Sequence, residues 1–237
     1  MNLPDPVDTA RRAVAEWFPE ALAAWVGGSV ASGHSTATSD LDITVLLPGP
    51  PAPYRDSRRF AGWPVELFVH TAASLAHYRA KDVARRQPAM MRLVGESVDV
   101  DVDGSGAALQ EDCRRQLVAG PPTLTAAEVE SERYRISDLV DDLTGVTDPL
   151  ERAAIATTLW DAALRLLLGG EGRWLGTGKG LVREVVALDA SSGSQRAAGF
   201  DRALRAALDG DVAPLAQAAD RVLAPPRCSS AGWPPRS

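Results

Sequence analysis

Two aspartates separated by one leucine, Asp40-Leu41-Asp42, lie in an alternating stretch. Leu41, Ile43, Val45 and Leu47 fall on one side of it, and Asp40, Asp42 and Thr44 on the other. Residues two apart on a strand face the same way, about 6.5–7 Å between Cα atoms, so both carboxylates project together while the aliphatic side chains enter a core. Carboxylates so placed can share a hard cation. Oxygen-only ligation suits Mg²⁺, which takes one or two carboxylates and completes its octahedron with water and substrate phosphates. Upstream of a ten-residue spacer lies Gly27-Gly28-Ser29. A glycine turn lets backbone amides approach a phosphate closely, and the Ser29 hydroxyl offers a further hydrogen bond. Phosphate, metal and strand therefore converge on one segment.

The elements that must position these groups follow from periodicity. Val7 to Ala24 has helical spacing, with Pro19 kinking or breaking it. Asp40 to Leu47 is a strand ended by Pro48-Gly49-Pro50-Pro51, and Trp63 to His70 is a second. A helix from Thr71 to about Gln87 follows, and Val98 to Asp103 alternates as a third strand closed by Asp103-Gly104. Beyond Gly120-Pro121-Pro122 the pattern is helical at about 124–144, 148–168, 179–189, 198–208 and 211–223. Asp148-Pro149-Leu150-Glu151 supplies a cap, an N1 proline and an acid at N3, and Gly169-Gly170 a stop. Leu159, Ala162, Ala163, Leu166 and Leu167 give that helix a broad apolar face, which places it centrally in a bundle. The expected fold is α/β (α+β), a small mixed sheet at 1–117 followed by an all-α bundle at 118–224. Residues 225–237, rich in Pro, Ser and Gly, are expected to be a disordered tail.

Composition narrows the functions. The 237 residues include 31 acids, 25 bases and two cysteines, Cys113 and Cys228. Two distant cysteines make neither a disulfide framework nor a thiolate zinc site, and MNLPDPVDTARR has no apolar stretch to act as a signal peptide, so a cytoplasmic location is expected. No apolar run approaches the roughly twenty residues of a membrane span. Up to Leu117 there are 12 bases against 15 acids, and after it 13 against 16. No basic half is present to exchange counterions with nucleic acid. Of the bases only Lys81 and Lys179 are lysine, a bias that reads as GC-rich bacterial codon usage.

The segment VGGSVASGHSTATSDLDITVLL resembles the nucleotidyltransferase superfamily of the DNA polymerase beta type. The resemblance is carried by Val26, Gly28, Ser29, Ser39, Asp40, Asp42 and Ile43. It implies a catalytic domain over roughly residues 10–105, with Gly28, Ser29 and Ser39 at the nucleotide. It also implies a third carboxylate from a neighbouring strand, the position that Glu66 fits. Glutamate there is similar to the aminoglycoside nucleotidyltransferases, where it is the proposed general base, and residues 120–223 resemble the helical bundle those enzymes append. The implied activity is transfer of a nucleoside monophosphate, AMP from ATP, to a hydroxyl of a small, aminoglycoside-like molecule with release of pyrophosphate. Asp40, Asp42 and Glu66 would hold Mg²⁺, two ions in the fullest form, with Glu66 open between metal ligand and base. The implied partners are a nucleoside triphosphate and a small acceptor, and the chain is a monomer or homodimer. Two other readings remain open: a minimal nucleotidyltransferase that modifies a protein hydroxyl, and a nucleotide-binding regulator without turnover.

Other residues carry weaker signals. Lys179, in Gly176-Thr177-Gly178-Lys179-Gly180, opens an expected helix, where the macrodipole disfavours a cation unless an anion is also present. A triphosphate would be that anion, and the resemblance implies a lysine from the second domain at the phosphates. Arg55, Arg58 and Arg59, read as a loop between the two strands, are lesser phosphate candidates. His34 falls in the spacer, and His70 reads as a packing residue at a strand end. Asp138, Asp141 and Asp142 read as a solvated helix face. Asp99-Val-Asp101-Val-Asp103-Gly104 imitates the start of an EF-hand loop, but Gln110 occupies the twelfth position where a bidentate glutamate is needed. Asp99 and Asp101 read as the solvent side of an edge strand.

Overall fold

The computed structural model describes residues 3–31, 33, 39–100 and 104–224. His34, the Asp101–Asp103 end of the third alternating stretch and the tail at 225–237 lie outside these residues. The chain divides into two compact units, Met1–Gly120 and Pro121–Ser237.

The first unit is built on a mixed sheet of β1 (Ala23–Val26), β2 (Leu41–Leu46), β3 (Tyr54–Phe60), β4 (Trp63–His70) and β5 (Val98–Asp99), ordered β3-β4-β2-β1-β5. β2 and β4 are parallel, and the other neighbours are antiparallel. One face packs on α1 (Pro6–Trp17): Ala10, Ala13 and Val14 meet Ala24, Val26, Leu41, Ile43, Val45, Val65, Leu67 and Val69. The opposite face carries Ala23, Trp25 and Leu46 against Leu75 of α3 (Ala72–Arg85), Met90 and Val94 of α4 (Ala89–Gly95), and Cys113 of α5 (Ala107–Ala119). Alternation along β2 and β4 is thus satisfied on both sides, the expected aliphatic set lying under α1.

Three expectations change. The first helix ends at Trp17 rather than Ala24, because Phe18 leaves helical geometry, Pro19 follows, and Ala23–Val26 is recruited as a fully buried strand beside β2. Arg55, Arg58 and Arg59 are not in a loop. They belong to edge strand β3, joined to β4 by a two-residue turn at Ala61-Gly62, both with positive φ. The third alternating stretch pairs only at Val98 and Asp99 among the described residues.

Helices α4 and α5 were not expected. Pro88 gives α4 no side-chain cap, and Asp82 of α3 does that work, accepting from the Met90 and Met91 amides at 2.6 and 3.3 Å. Burial pushes the Asp82 carboxyl up from its ordinary pKa, while those amides pull it back. An ion pair between Arg79 and Asp112 ties α3 to α5.

The second unit is all helical: α6 (Ala126–Gly145), α7 (Pro149–Gly170), α8 (Lys179–Ser192), α9 (Arg196–Leu208) and α10 (Ala213–Leu223). Asp148 caps α7 through the Leu150 and Glu151 amides, both at 2.9 Å, and α7 packs against α6, α8, α9 and α10. Its buried Leu159, Ala163 and Leu166 meet Ile136, Val185, Phe200 and Leu215 in one apolar core.

Candidate metal centre

Parallel pairing of β2 with β4 sets Asp42 opposite Glu66. Register partners share a sheet face, so two carboxylates from strands separated by an intervening hairpin strand are brought side by side. Asp40 precedes β2 by one residue and adds a third. Ligand oxygens of Asp40, Asp42 and Glu66 lie within 4.8 Å of one another, and all three residues are half-buried. Like charges at about 4 Å repel by roughly 1 kcal/mol in water and several times more in a protein-like medium. Such a cluster favours a cation.

The glycine turn is fitted to the same carboxylate. The Gly27 amide donates to the Asp42 carbonyl at 2.8 Å, which lays the turn on β2. Gly28 has φ +66°, and a Cβ there would stand 2.0 Å from Asp42 Oδ2. The left-handed backbone favours glycine, and a Cβ there would displace the Asp42 carboxylate. Ser29 follows in the single turn α2 (Gly28–Ala31), and its Oγ donates to Ser39 Oγ at 3.0 Å. That bond closes the ends of the spacer against each other.

The donor set suits a hard divalent ion. Three carboxylates with oxygens within 4.8 Å of one another could hold one such ion.

Asp40, Asp42, Glu66, Gly28, Ser29 and Ser39 thus meet in the first unit. Lys179 is the first residue of α8 in the second unit, preceded by Gly178 with φ +51°. His70 is buried at the end of β4, its Nδ1 3.2 Å from Ser74 Oγ and its ring edge-on to Tyr78. Burial pushes its imidazole pKa down. Asp138, Asp141 and Asp142 are exposed on α6. Arg55, read from the sequence as a lesser phosphate candidate in a loop, instead stands on β3, where its Nη2 donates to Glu66 Oε2 at 2.6 Å. The signal was available in the alternation of Tyr54, Asp56, Arg58 and Phe60 before an Ala-Gly turn.

No family model matches the chain, and no curated protein does. Among solved structures it is similar to a nucleotidyltransferase-like protein from Exiguobacterium sibiricum 255-15, at 11% identity and a TM-score of 0.46. That match covers 92% of this chain and 74% of the other.

Proposed function

We propose that the chain is a metal-dependent nucleotidyltransferase that moves a nucleoside monophosphate from a triphosphate to a hydroxyl of a small molecule. The observation that carries the reading is the convergence of Asp40, Asp42 and Glu66 oxygens within 4.8 Å beside a turn whose Gly28, at φ +66°, lies directly against the Asp42 carboxylate. The sequence resemblance to polymerase-beta-type nucleotidyltransferases supports it.

Asp40, Asp42 and Glu66 would hold Mg²⁺, which when bound neutralises charge on the triphosphate and on the leaving pyrophosphate. Gly28 and Ser29 would seat the phosphates through backbone and hydroxyl donors. The acceptor oxygen bonds to the α-phosphorus, the α–β bridging bond breaks, and pyrophosphate departs. Glu66 either receives the hydroxyl proton or serves as a metal ligand while that proton passes to solvent water. Lys179 is proposed as a further phosphate ligand on the strength of its glycine-flanked position alone. ATP is the first donor to try, and an aminoglycoside-like polycation the first acceptor, since acids exceed bases 31 to 25. Among the described residues no helix is long and apolar enough to cross a membrane.

The test is pyrophosphate release with each of four nucleoside triphosphates and Mg²⁺, against aminoglycosides, lincosamides and cell extract. The Asp40→Ala/Asp42→Ala double variant serves as blank. Release above the blank is expected with one triphosphate in the presence of an acceptor. Equal release from chain and blank under every condition overturns the assignment.

A further inference from the structure

Arg55, Arg58 and Arg59 on β3 have different surroundings. Arg58 binds Asp56 at 2.8 Å and lies over the Trp17 ring, and Arg59 reaches the Gly62 carbonyl at 3.3 Å. Arg55 turns to the acids. Its register partner is Phe68, and that of Ser57 is Glu66, so Arg55 shares a sheet face with Glu66 on the diagonal. Diagonal neighbours are about 7–8 Å apart, within an arginine's reach. The guanidinium carbon stands 4.7 Å from the Phe68 ring centroid, while Nη2 holds Glu66 Oε2 at 2.6 Å.

We propose that Arg55 is a positioning residue for the metal-binding acids: stacked on Phe68, it takes one oxygen of Glu66 and so presents the carboxylate to the cation shared with Asp40 and Asp42. The inference rests on the metal-dependent reading above. Arg55 is 63% exposed, and exposed ion pairs contribute about 0–1 kcal/mol to folding, so the consequence of this one lies in where it keeps Glu66. A free glutamate explores several rotamers. One fixed through a planar cation clamped to a ring explores fewer, and the ion meets a preformed ligand. Loss of such an outer partner typically costs 10–100-fold in metal affinity or activity.

The sign of the effect separates positioning from plain charge. Removing a positive side chain beside a cation site should tighten cation binding by electrostatics alone, whereas loss of positioning weakens it. The probe is Mn²⁺ by itself, titrated calorimetrically and by electron paramagnetic resonance into the full chain, Arg55→Ala, Arg55→Lys and Asp42→Ala. Circular dichroism checks that each variant is folded. Wild-type binding that disappears in Asp42→Ala is expected, with Arg55→Ala about tenfold weaker. Arg55→Lys should also be weakened, because lysine keeps the charge but loses the planar fork and stack; it carries the test if the alanine variant does not fold. Unchanged or tighter Mn²⁺ binding in the Arg55 variants overturns the inference and leaves the metal site standing. Wild-type binding that is absent, or insensitive to Asp42→Ala, overturns the metal-site reading and this inference with it.

Discussion

β2 and β5 begin from nearly the same local pattern and reach different ends. Asp40-Leu41-Asp42 and Asp99-Val100-Asp101 both alternate acid and aliphatic, and a flexible glycine accompanies each, Gly28 before the first and Gly104 after the second. β2 is an inner strand whose parallel partner sets Glu66 beside Asp42, with the glycine turn bonded to its backbone. Among the described residues β5 pairs at Val98 and Asp99, at the sheet edge, where Asp99 stands opposite Trp25. An acid pair becomes a candidate metal site through what neighbouring strands bring to it.

The largest expected difference between them is catalytic. Asp42→Ala should fold and lose at least about 100-fold in pyrophosphate release, roughly 2.7 kcal/mol of barrier, while Asp99→Ala stays within about twofold. Equal losses would dissolve the distinction between the strands. The glycines give the next contrast, since both have positive φ but differ in surroundings. Gly28→Ala would drive a Cβ into Asp42 Oδ2, whereas nothing lies within 4 Å of the Cβ position at Gly104. Each substitution should cost about 1–2 kcal/mol in urea unfolding from backbone strain, but only Gly28→Ala should also weaken Mn²⁺ binding, by about tenfold or more.

The smallest effect concerns β4, which supplies Glu66 to the site and His70 to the core. Burial holds the folded-state imidazole pKa below its ordinary value of about 6.5, so the unfolded chain takes up the proton first as pH falls. Its stability contribution is complete above about pH 6.5 and is lost as pH drops through the lower folded value. The raised carboxyl of Asp82 acts oppositely, its contribution being lost as pH rises through that value. Comparing urea midpoints at pH 7.5 and 5.5 for wild type and His70→Phe isolates the histidine. The variant should lose less on acidification and keep its Mn²⁺ affinity, separating the packing role of β4 from its chemical one.

Particular residues show how far local pattern reaches. Alternation in Leu41–Leu47 and Trp63–His70, the Asp148-Pro149 cap and the apolar face of α7 were readable because strand and helix periods lie within a few neighbours. Ala23 and Ala24 fall within the preceding helical rhythm and Trp25-Val26 outside it, because four consecutive apolar residues declare no period and become a strand only beside β2. α4 was hidden for a similar reason: its N-terminal cap is Asp82, from another helix.

By itself the sequence determined the chemical types and their local presentation: two carboxylates on one side of a strand, a glycine turn ahead of them, and a helical second half. Side-chain direction along a strand and backbone freedom at glycine are properties of a few adjacent residues. Tertiary structure decided that Asp42 faces Glu66 and that Arg55 reaches Glu66. Those pairings depend on strand order and register, which arise from burying both faces of the sheet at once.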